Sequence, residues 1–547
     1  MAMARNMTDY AETCRTFRLD VPARYNWAFE VFDGWARDPG KLALLWVSPD
    51  GQARRFTYAE LAERSRRFAN VLAGLGVARG ERVFIMLPRV FQWWEIVLGC
   101  LRSCTVSSPG TTLLTTKDLE YRLNVSEASV VITDEDNAFK IDQVLAACPS
   151  VKRRIVVGRA GGGWLEYEAL MQRASGTLAH PDNASGDPMM IYFTSGTTGY
   201  PKMVLHTHAS YPIGHVITGK FWLDNTPEDL HWTISDTGWA QAAWTCLFGP
   251  WNMGAALFVW DARGKKFEPG ETLEMFERFP ITTFFAPPTA YRMFVQEPLA
   301  KYKFPTLRHC LGAGEAVNPE VIEAWREGTG HHIYEGYGQT ESVLLAATFP
   351  ATPWKPGSMG PASPGHVIGI VDDDGHELPG GTEGELAVRV KPERPVGMFK
   401  EYWRNAEATA KCHRGDWYLT GDRASMDEDG YLWFVGRADD VINSASYRIG
   451  PFEVESVLVE HAAVAEAAVI GKADALRGEI VKAFVVLAPG YAPSDALAAE
   501  LQEHVKTVTA PYKYPREIEF VPDLPKTISG KIRRTELRQL ERARSQK

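Results

Sequence analysis

Residues Ile191–Lys202 read IYFTSGTTGYPK, an apolar entry followed by four Ser/Thr hydroxyls, two glycines, a proline and a lysine. Glycines let successive backbone N–H groups converge on an anion. Hydroxyls add donors and a lysine adds a point charge. The NTPase P-loop needs its lysine directly after the last glycine, whereas here Tyr200 and Pro201 separate Gly199 from Lys202. The stretch therefore reads as a phosphate loop of another kind. Its candidate ligands are Thr194, Ser195, Gly196, Thr197, Thr198, Gly199 and Lys202.

The pattern upstream alternates between helical and strand-like segments. Tyr58–Leu75 carries apolar residues at helical spacing, Arg82–Leu87 reads as a buried strand, Phe91–Leu101 as a core helix and Ala128–Thr133 as a further strand. Strand, helix, strand implies parallel α/β layers. The same rhythm returns at Thr282–Phe285 before a helix at Ala290–Gln296, and at Leu307–Leu311 before GAGEAV. From about Gly360 the texture becomes hairpin-like, with Asp-Gly and Gly-Gly turns between short strands. Tyr431–Val435 predicts a strand and Gly436–Asp440 a charged break. A helix at Pro451–Glu460 and strands at Val464–Gly471 and Val481–Leu487 follow. The expected fold is α/β: a large domain of α/β layers with a small β-rich subdomain (residues 1–438), then a small, mobile α+β domain (residues 439–547).

Composition narrows the function. The chain has 547 residues, enough for more than one domain, and a net charge of -9. That balance argues against general nucleic-acid binding, which needs a strong positive field. Seven cysteines without CxxC spacing argue against a disulfide framework or a zinc site. The opening residues lack the apolar core of a signal peptide, and no apolar run is long enough for a membrane span. These features lead to the expectation of a reduced, cytoplasmic compartment.

TSGTTGYPK resembles the phosphate loop of the adenylate-forming superfamily, and other motifs follow in that family's order. They are GAGEAV (Gly312–Val317), YEGYGQTE (Tyr334–Glu341), YLTGD (Tyr418–Asp422), GRADD (Gly436–Asp440), SYRIGPFEVE (Ser446–Glu455) and PKTISGKIRR (Pro525–Arg534). A narrower likeness is to the medium-chain acyl-CoA synthetases. It rests on ISDTGW (Ile234–Trp239), RVKPERPVGMF (Arg389–Phe399), RGEIVKAFVVL (Arg477–Leu487) and HVKTVTAPYKYPREIEF (His504–Phe520).

The resemblance implies an ATP-dependent carboxylic acid–CoA ligase. A carboxylate attacks the α-phosphorus of ATP to give acyl-AMP and pyrophosphate, and the coenzyme A thiol then displaces AMP. By resemblance, Thr194 to Lys202 hold the β- and γ-phosphates, Thr340 bonds the α-phosphate and Glu341 ligates Mg²⁺. Gly314, Glu315 and Ala316 resemble one wall of the adenine site. Glu335, Gly336 and Tyr337, continued by Gly338 and Gln339, resemble the other, with Tyr337 on the base. Asp422 and Arg437 bind the ribose. Lys531 matches the adenylation lysine, and Asp439 matches the pivot about which the C-terminal domain turns between half-reactions. The turn withdraws Lys531 and brings Ala445, Ser446, Tyr447 and the catalytic Arg448 in. Arg477, Lys506, Tyr512, Lys513 and Tyr514 face the coenzyme A nucleotide. Family members carry Gly where this chain has Ser446, so the pantetheine tunnel either tolerates that side chain or thioester formation is tuned by it.

In acetate-specific relatives a Trp precedes the Gln of the Q-T-E motif; here Gly338 stands in that place, implying vacated volume and an acid longer or bulkier than acetate. By resemblance, Trp239 falls near the acyl pocket or the tunnel mouth. A medium-chain fatty acid and a benzoate-type aromatic acid both fit this reading. Two rival readings are an adenylating enzyme that loads a carrier-protein thiol, and a nucleotide-binding protein without ligase activity. Acetylation of Lys531 by a lysine acetyltransferase is a further expectation; the oligomeric state stays open.

Overall fold

The computed structural model describes residues 6–545, apart from 160, 195–200, 264–266, 439, 445–446, 475–476 and 528–530; the side chains of residues 443, 448, 511 and 545 are likewise not described. Ser195, Gly196, Thr197, Thr198, Gly199, Asp439, Ala445, Ser446 and the Arg448 side chain lie outside the described residues.

The architecture is α/β, as expected, and is built on four sheets. One eight-stranded sheet has Arg82–Met86 at its heart, with Val106–Pro109 and Ala128–Asp134 parallel on either side. These strands are buried almost throughout because both faces are covered. The helix Tyr58–Gly74 starts with a capping box, Thr57 and Glu60 each bonding the other's backbone N–H, worth about 1 kcal/mol. The helix Gln92–Ser103 is buried on all sides, and its Glu95 is paired with Arg64 and accepts a 2.7 Å bond from Tyr167. A buried carboxylate is tolerated only with such partners.

The strand Pro188–Thr194 joins that sheet parallel to Val106–Pro109 and turns back into the antiparallel Lys202–Thr207, with Thr194 opposite Lys202. The described ends of the phosphate-loop motif, Thr194 and Lys202, thus face each other across two antiparallel strands. The second eight-stranded sheet contains the parallel strands Thr283–Phe285, His309–Ala313 and Ile333–Gly338, whose carboxyl ends carry the GAGEAV and YEGYGQTE motifs.

The third sheet is antiparallel and includes Ile368–Val371, Gly384–Arg389, Trp417–Met426 and Tyr431–Arg437. The last strand runs two residues beyond Val435, into the start of the expected charged break. Asp422 sits opposite Arg437 in its register, and their ion pair extends the ladder. The fourth sheet, from Ile442 onward, packs on the helices Pro451–Glu460 and Asp495–Val508 with an apolar core of its own. Among the described residues no helix is long and apolar enough to cross a membrane.

Candidate active site

The crevice lies at the carboxyl ends of two neighbouring parallel strands, where α/β sheets present ligand sites. His309–Ala313 and Ile333–Gly338 run side by side, with Gly312 opposite Glu335 and Ala313 opposite Gly336. Gly314 then takes φ +98°, a conformation natural to glycine, and the space a Cβ would enter is open. Glu315 is paired with Arg292 at 3.4 Å, beside half-buried Ala316. Across from them Gly336 is pressed against Trp222: a Cβ there would lie 2.5 Å from the indole. Glu335 is buried. One carboxyl oxygen accepts from the Val317 N–H at 2.8 Å, while Oε2 has no partner among the described residues. Burial pushes its pKa up to about 8.

Asp422 is the most heavily bonded carboxylate of the crevice. Its Oδ2 accepts from the Tyr337 hydroxyl at 2.5 Å and from the Gln339 amide at 2.9 Å; its Oδ1 accepts from Arg437 at 3.0 Å. Burial raises its pKa, opposed by Arg437, Tyr337 and the positive field of Lys531. A carboxylate has about four acceptor sites, so room for a further donor remains. Gln339 is locked in turn, donating to the Thr420 carbonyl at 2.8 Å and accepting from Tyr418 at 3.1 Å.

Glu341 occupies a second focus. Tyr402 donates to its Oε1 at 2.7 Å, the Phe399 N–H donates to its backbone carbonyl at 2.7 Å, and the Lys202 ammonium stands 4.7 Å over the Tyr402 ring. Burial pushes the Glu341 carboxyl up, against the Tyr402 hydroxyl and the charge of Lys202. A desolvated carboxylate beside a threonine suits a hard cation such as Mg²⁺. The preceding Thr340 has its carbonyl held by two side chains that sequence reasoning missed, His206 and Tyr211. Those bonds cross 134 and 129 residues of sequence. The motif HTHASY after the hairpin was their only signal.

Lys531 is exposed; its N–H donates to the Thr527 hydroxyl at 3.0 Å and its carbonyl accepts from the Thr527 N–H at 2.6 Å, which makes a turn of the two ends. The C-terminal unit is docked with this turn toward the crevice. Lys531 acts electrostatically on Asp422, Arg534 on Glu315, and Asn318 donates to Ser456 at 3.4 Å. The remaining C-terminal candidates gather apart from it. Tyr447 stacks on Tyr512 at 4.1 Å and 13°, Lys506 covers the ring of Tyr514 at 4.5 Å, and Lys513 pairs with Glu453 at 2.5 Å. Arg477 is exposed just before Gly478, which pairs with Ser444.

One expectation is corrected by the packing. The space beside Gly338 is not vacant: a Cβ there would lie 2.4 Å from the indole of Trp244, which is buried among Tyr211, His215 and Phe248. Trp244, from another element, stands where a side chain at 338 would begin. Trp239 is half-buried and opens the short helix Ala240–Ala243.

The family of AMP-binding enzymes matches residues 31–403, and the AMP-binding enzyme C-terminal domain matches residues 453–531. This chain belongs to the AMP-binding enzyme family. It is 47% identical to the mitochondrial acyl-coenzyme A synthetase ACSM3 of Mus musculus over 550 residues, covering 99% of this chain and 94% of that protein. It is 48% identical to the human mitochondrial acyl-coenzyme A synthetase ACSM5 over 531 residues, covering 95% and 91%. Among solved structures, an anthranilate CoA ligase in complex with anthranoyl-AMP is 30% identical with a TM-score of 0.88, covering 96% of this chain and 99% of that one. A benzoate CoA ligase from Burkholderia xenovorans is 30% identical with a TM-score of 0.82, covering 94% and 100%. The relatives of this AMP-binding enzyme are thus acid–CoA ligases, in agreement with the reaction expected from its motifs.

The cytoplasmic expectation is overturned, because the ACSM relatives are named mitochondrial. The signals behind it do not discriminate. Unpaired thiols persist in any reducing compartment, and mitochondrial transit segments are amphipathic and Arg-rich, with no apolar core to look for.

Proposed function

We propose that this AMP-binding enzyme is an AMP-forming carboxylic acid–CoA ligase acting on ATP, coenzyme A and an acid with an apolar tail, medium-chain or aromatic. What supports the reading is that Asp422 is bonded by Tyr337 and Gln339, of the same YEGYGQTE motif that holds Glu341, and lies within the electrostatic reach of Lys531.

Each residue then has a task that its surroundings suit. Asp422, oriented by Arg437 and Tyr337, accepts the ribose hydroxyls. Glu335 has a buried oxygen without a partner among the described residues, and the adenine edge, which carries both a ring-nitrogen acceptor and an amino donor, supplies one. Gly314, Glu315 and Ala316 form the opposite wall, and Tyr337 lies by the base. The hairpin from Thr194 to Lys202 holds the phosphates that leave. Glu341 holds Mg²⁺, which when bound neutralises phosphate charge, and Thr340 bonds the α-phosphate. Attack of a carboxylate on a polyanion is opposed by repulsion, so Lys531 serves by placing its ammonium between the two. Residues 439–547 form the domain that delivers it, pivoting at Asp439. Turned the other way, that domain presents the stretch 445–448. Tyr447, Arg477, Lys506, Tyr512, Lys513 and Tyr514 then meet the coenzyme A nucleotide, their cations matching its phosphates. Acetylation of Lys531 removes the delivered charge and silences the first step.

A panel of acids from acetate to dodecanoate plus substituted benzoates, scored by AMP release with and without coenzyme A, tests the reading. The expected result is AMP release and a CoA thioester with apolar acids well above acetate. No AMP release with any acid refutes it.

A further inference from the structure

The peptide joining Thr340 to Glu341 is gripped more tightly than a loop requires. Its carbonyl, that of Thr340, accepts two bonds at once: from the His206 ring Nε2 at 2.8 Å and from the Tyr211 hydroxyl at 2.6 Å. The next carbonyl, that of Glu341, accepts from the Phe399 N–H at 2.7 Å. A peptide unit is planar. Fixing the Thr340 carbonyl therefore fixes the plane that also holds the Glu341 N–H, and so the directions in which both side chains leave the backbone.

The chemistry of the two donors is unambiguous. A carbonyl can only accept, so the proton of His206 sits on Nε2, and Nδ1 accepts from Ser210 Oγ at 3.0 Å. Ser210 Oγ is itself placed by the Thr207 N–H at 2.9 Å. The His206 and Tyr211 rings stack, centroids 3.4 Å apart and planes 22° apart. Both donor residues are fully buried. Burial keeps the imidazole neutral, its pKa pulled down to about 3. His206 belongs to Lys202–Thr207, the strand that leaves the phosphate-loop hairpin, and Tyr211 to the helix Ser210–Ile217 that follows. The segment that leaves the phosphate loop thus also sets the dipeptide on the other side of the crevice.

We propose that His206 and Tyr211 are a positioning pair, a two-donor clamp on the Thr340 carbonyl that aims Thr340 and Glu341 for the adenylation step. The proposal rests on the adenylation reading above. Neither residue touches the reacting atoms; they act through the peptide they hold.

The test is ATP–pyrophosphate exchange with the best acid of the panel, measured with the full-length enzyme alongside thermal midpoints and Mg²⁺ titrations. Tyr211→Phe keeps the ring stack and deletes one donor. The clamp predicts a roughly tenfold fall in kcat for exchange, about what one buried hydrogen bond is worth. It also predicts a raised Mg²⁺ requirement and a thermal midpoint close to the parent's. His206→Leu lowers kcat by tenfold or more. His206→Gln, whose side-chain amide can donate to the same carbonyl, recovers most of it. Parental exchange in both Tyr211→Phe and His206→Leu overturns the clamp, as does Gln performing no better than Leu, or rate losses that merely follow losses of thermal midpoint. Absence of exchange in the unaltered enzyme with every acid refutes the adenylation reading itself, and the clamp with it.

Discussion

The crevice between the two strand ends and the C-terminal edge that faces it are built on opposite principles. In the crevice Asp422 has three side-chain donors, Gln339 is bonded at both ends of its amide, and Glu341 is held by Tyr402 and Phe399. Across from it Lys531 is exposed, as are the stacked rings of Tyr447 and Tyr512. Groups that must orient a nucleotide gain from being fixed in advance. A charge needed in one half-reaction and unwanted in the next gains from staying in solvent on a separate unit, where docking it costs little desolvation.

The sharpest way to break this contrast is Lys531→Ala. The delivered charge is lost and the fixed site is untouched, so adenylation falls by about a thousandfold or more, while ATP affinity, read by calorimetry, stays near the parent's. Weak ATP binding in that variant contradicts the division of labour. Asp422→Asn strikes the fixed side instead. The neutral amide no longer balances Arg437, and kcat/KM for ATP drops on the order of a hundredfold; an effect on acid KM alone contradicts its place in the nucleotide site. Trp244→Ala removes the indole that lies over Gly338. The ratio of kcat/KM for long over short acids should shift by about tenfold toward the longer, and an unchanged profile across the panel removes Trp244 from the acid pocket.

The smallest effect concerns Glu335. Its folded pKa is about 8 against an ordinary 4.5, so between those values the folded state holds a proton that the unfolded state has released. Stability then falls as pH rises through that window. Glu335→Gln flattens this slope in thermal midpoints between pH 5 and 8; an unaltered slope assigns it to other groups.

Much of the fold was legible because periodicity is local. The helix expected at Tyr58–Leu75 spans Tyr58–Gly74, and the helix at Pro451–Glu460 has the bounds read from its pattern. Motifs, being short and contiguous, single out Asp422, Glu341 and Lys531 as the candidates on which the proposed function rests. What sequence hid was pairing at long range. The strand through Gly436–Arg437 looked like a charged break because its partner, Asp422, lies 15 residues away across a hairpin. Trp244 was invisible as the neighbour of Gly338, and the grip of His206 and Tyr211 on Thr340 depends on two sheets meeting.

The claim that a fixed nucleotide site is served by a separately delivered lysine is tested most directly by measuring the two half-reactions of Lys531→Ala apart. Pyrophosphate exchange reports the first, and CoA thioester formation from supplied acyl-adenylate reports the second. The account predicts exchange lost and thioester formation within a fewfold of the parent enzyme. Equal loss of both half-reactions, or exchange at the parental rate, contradicts it.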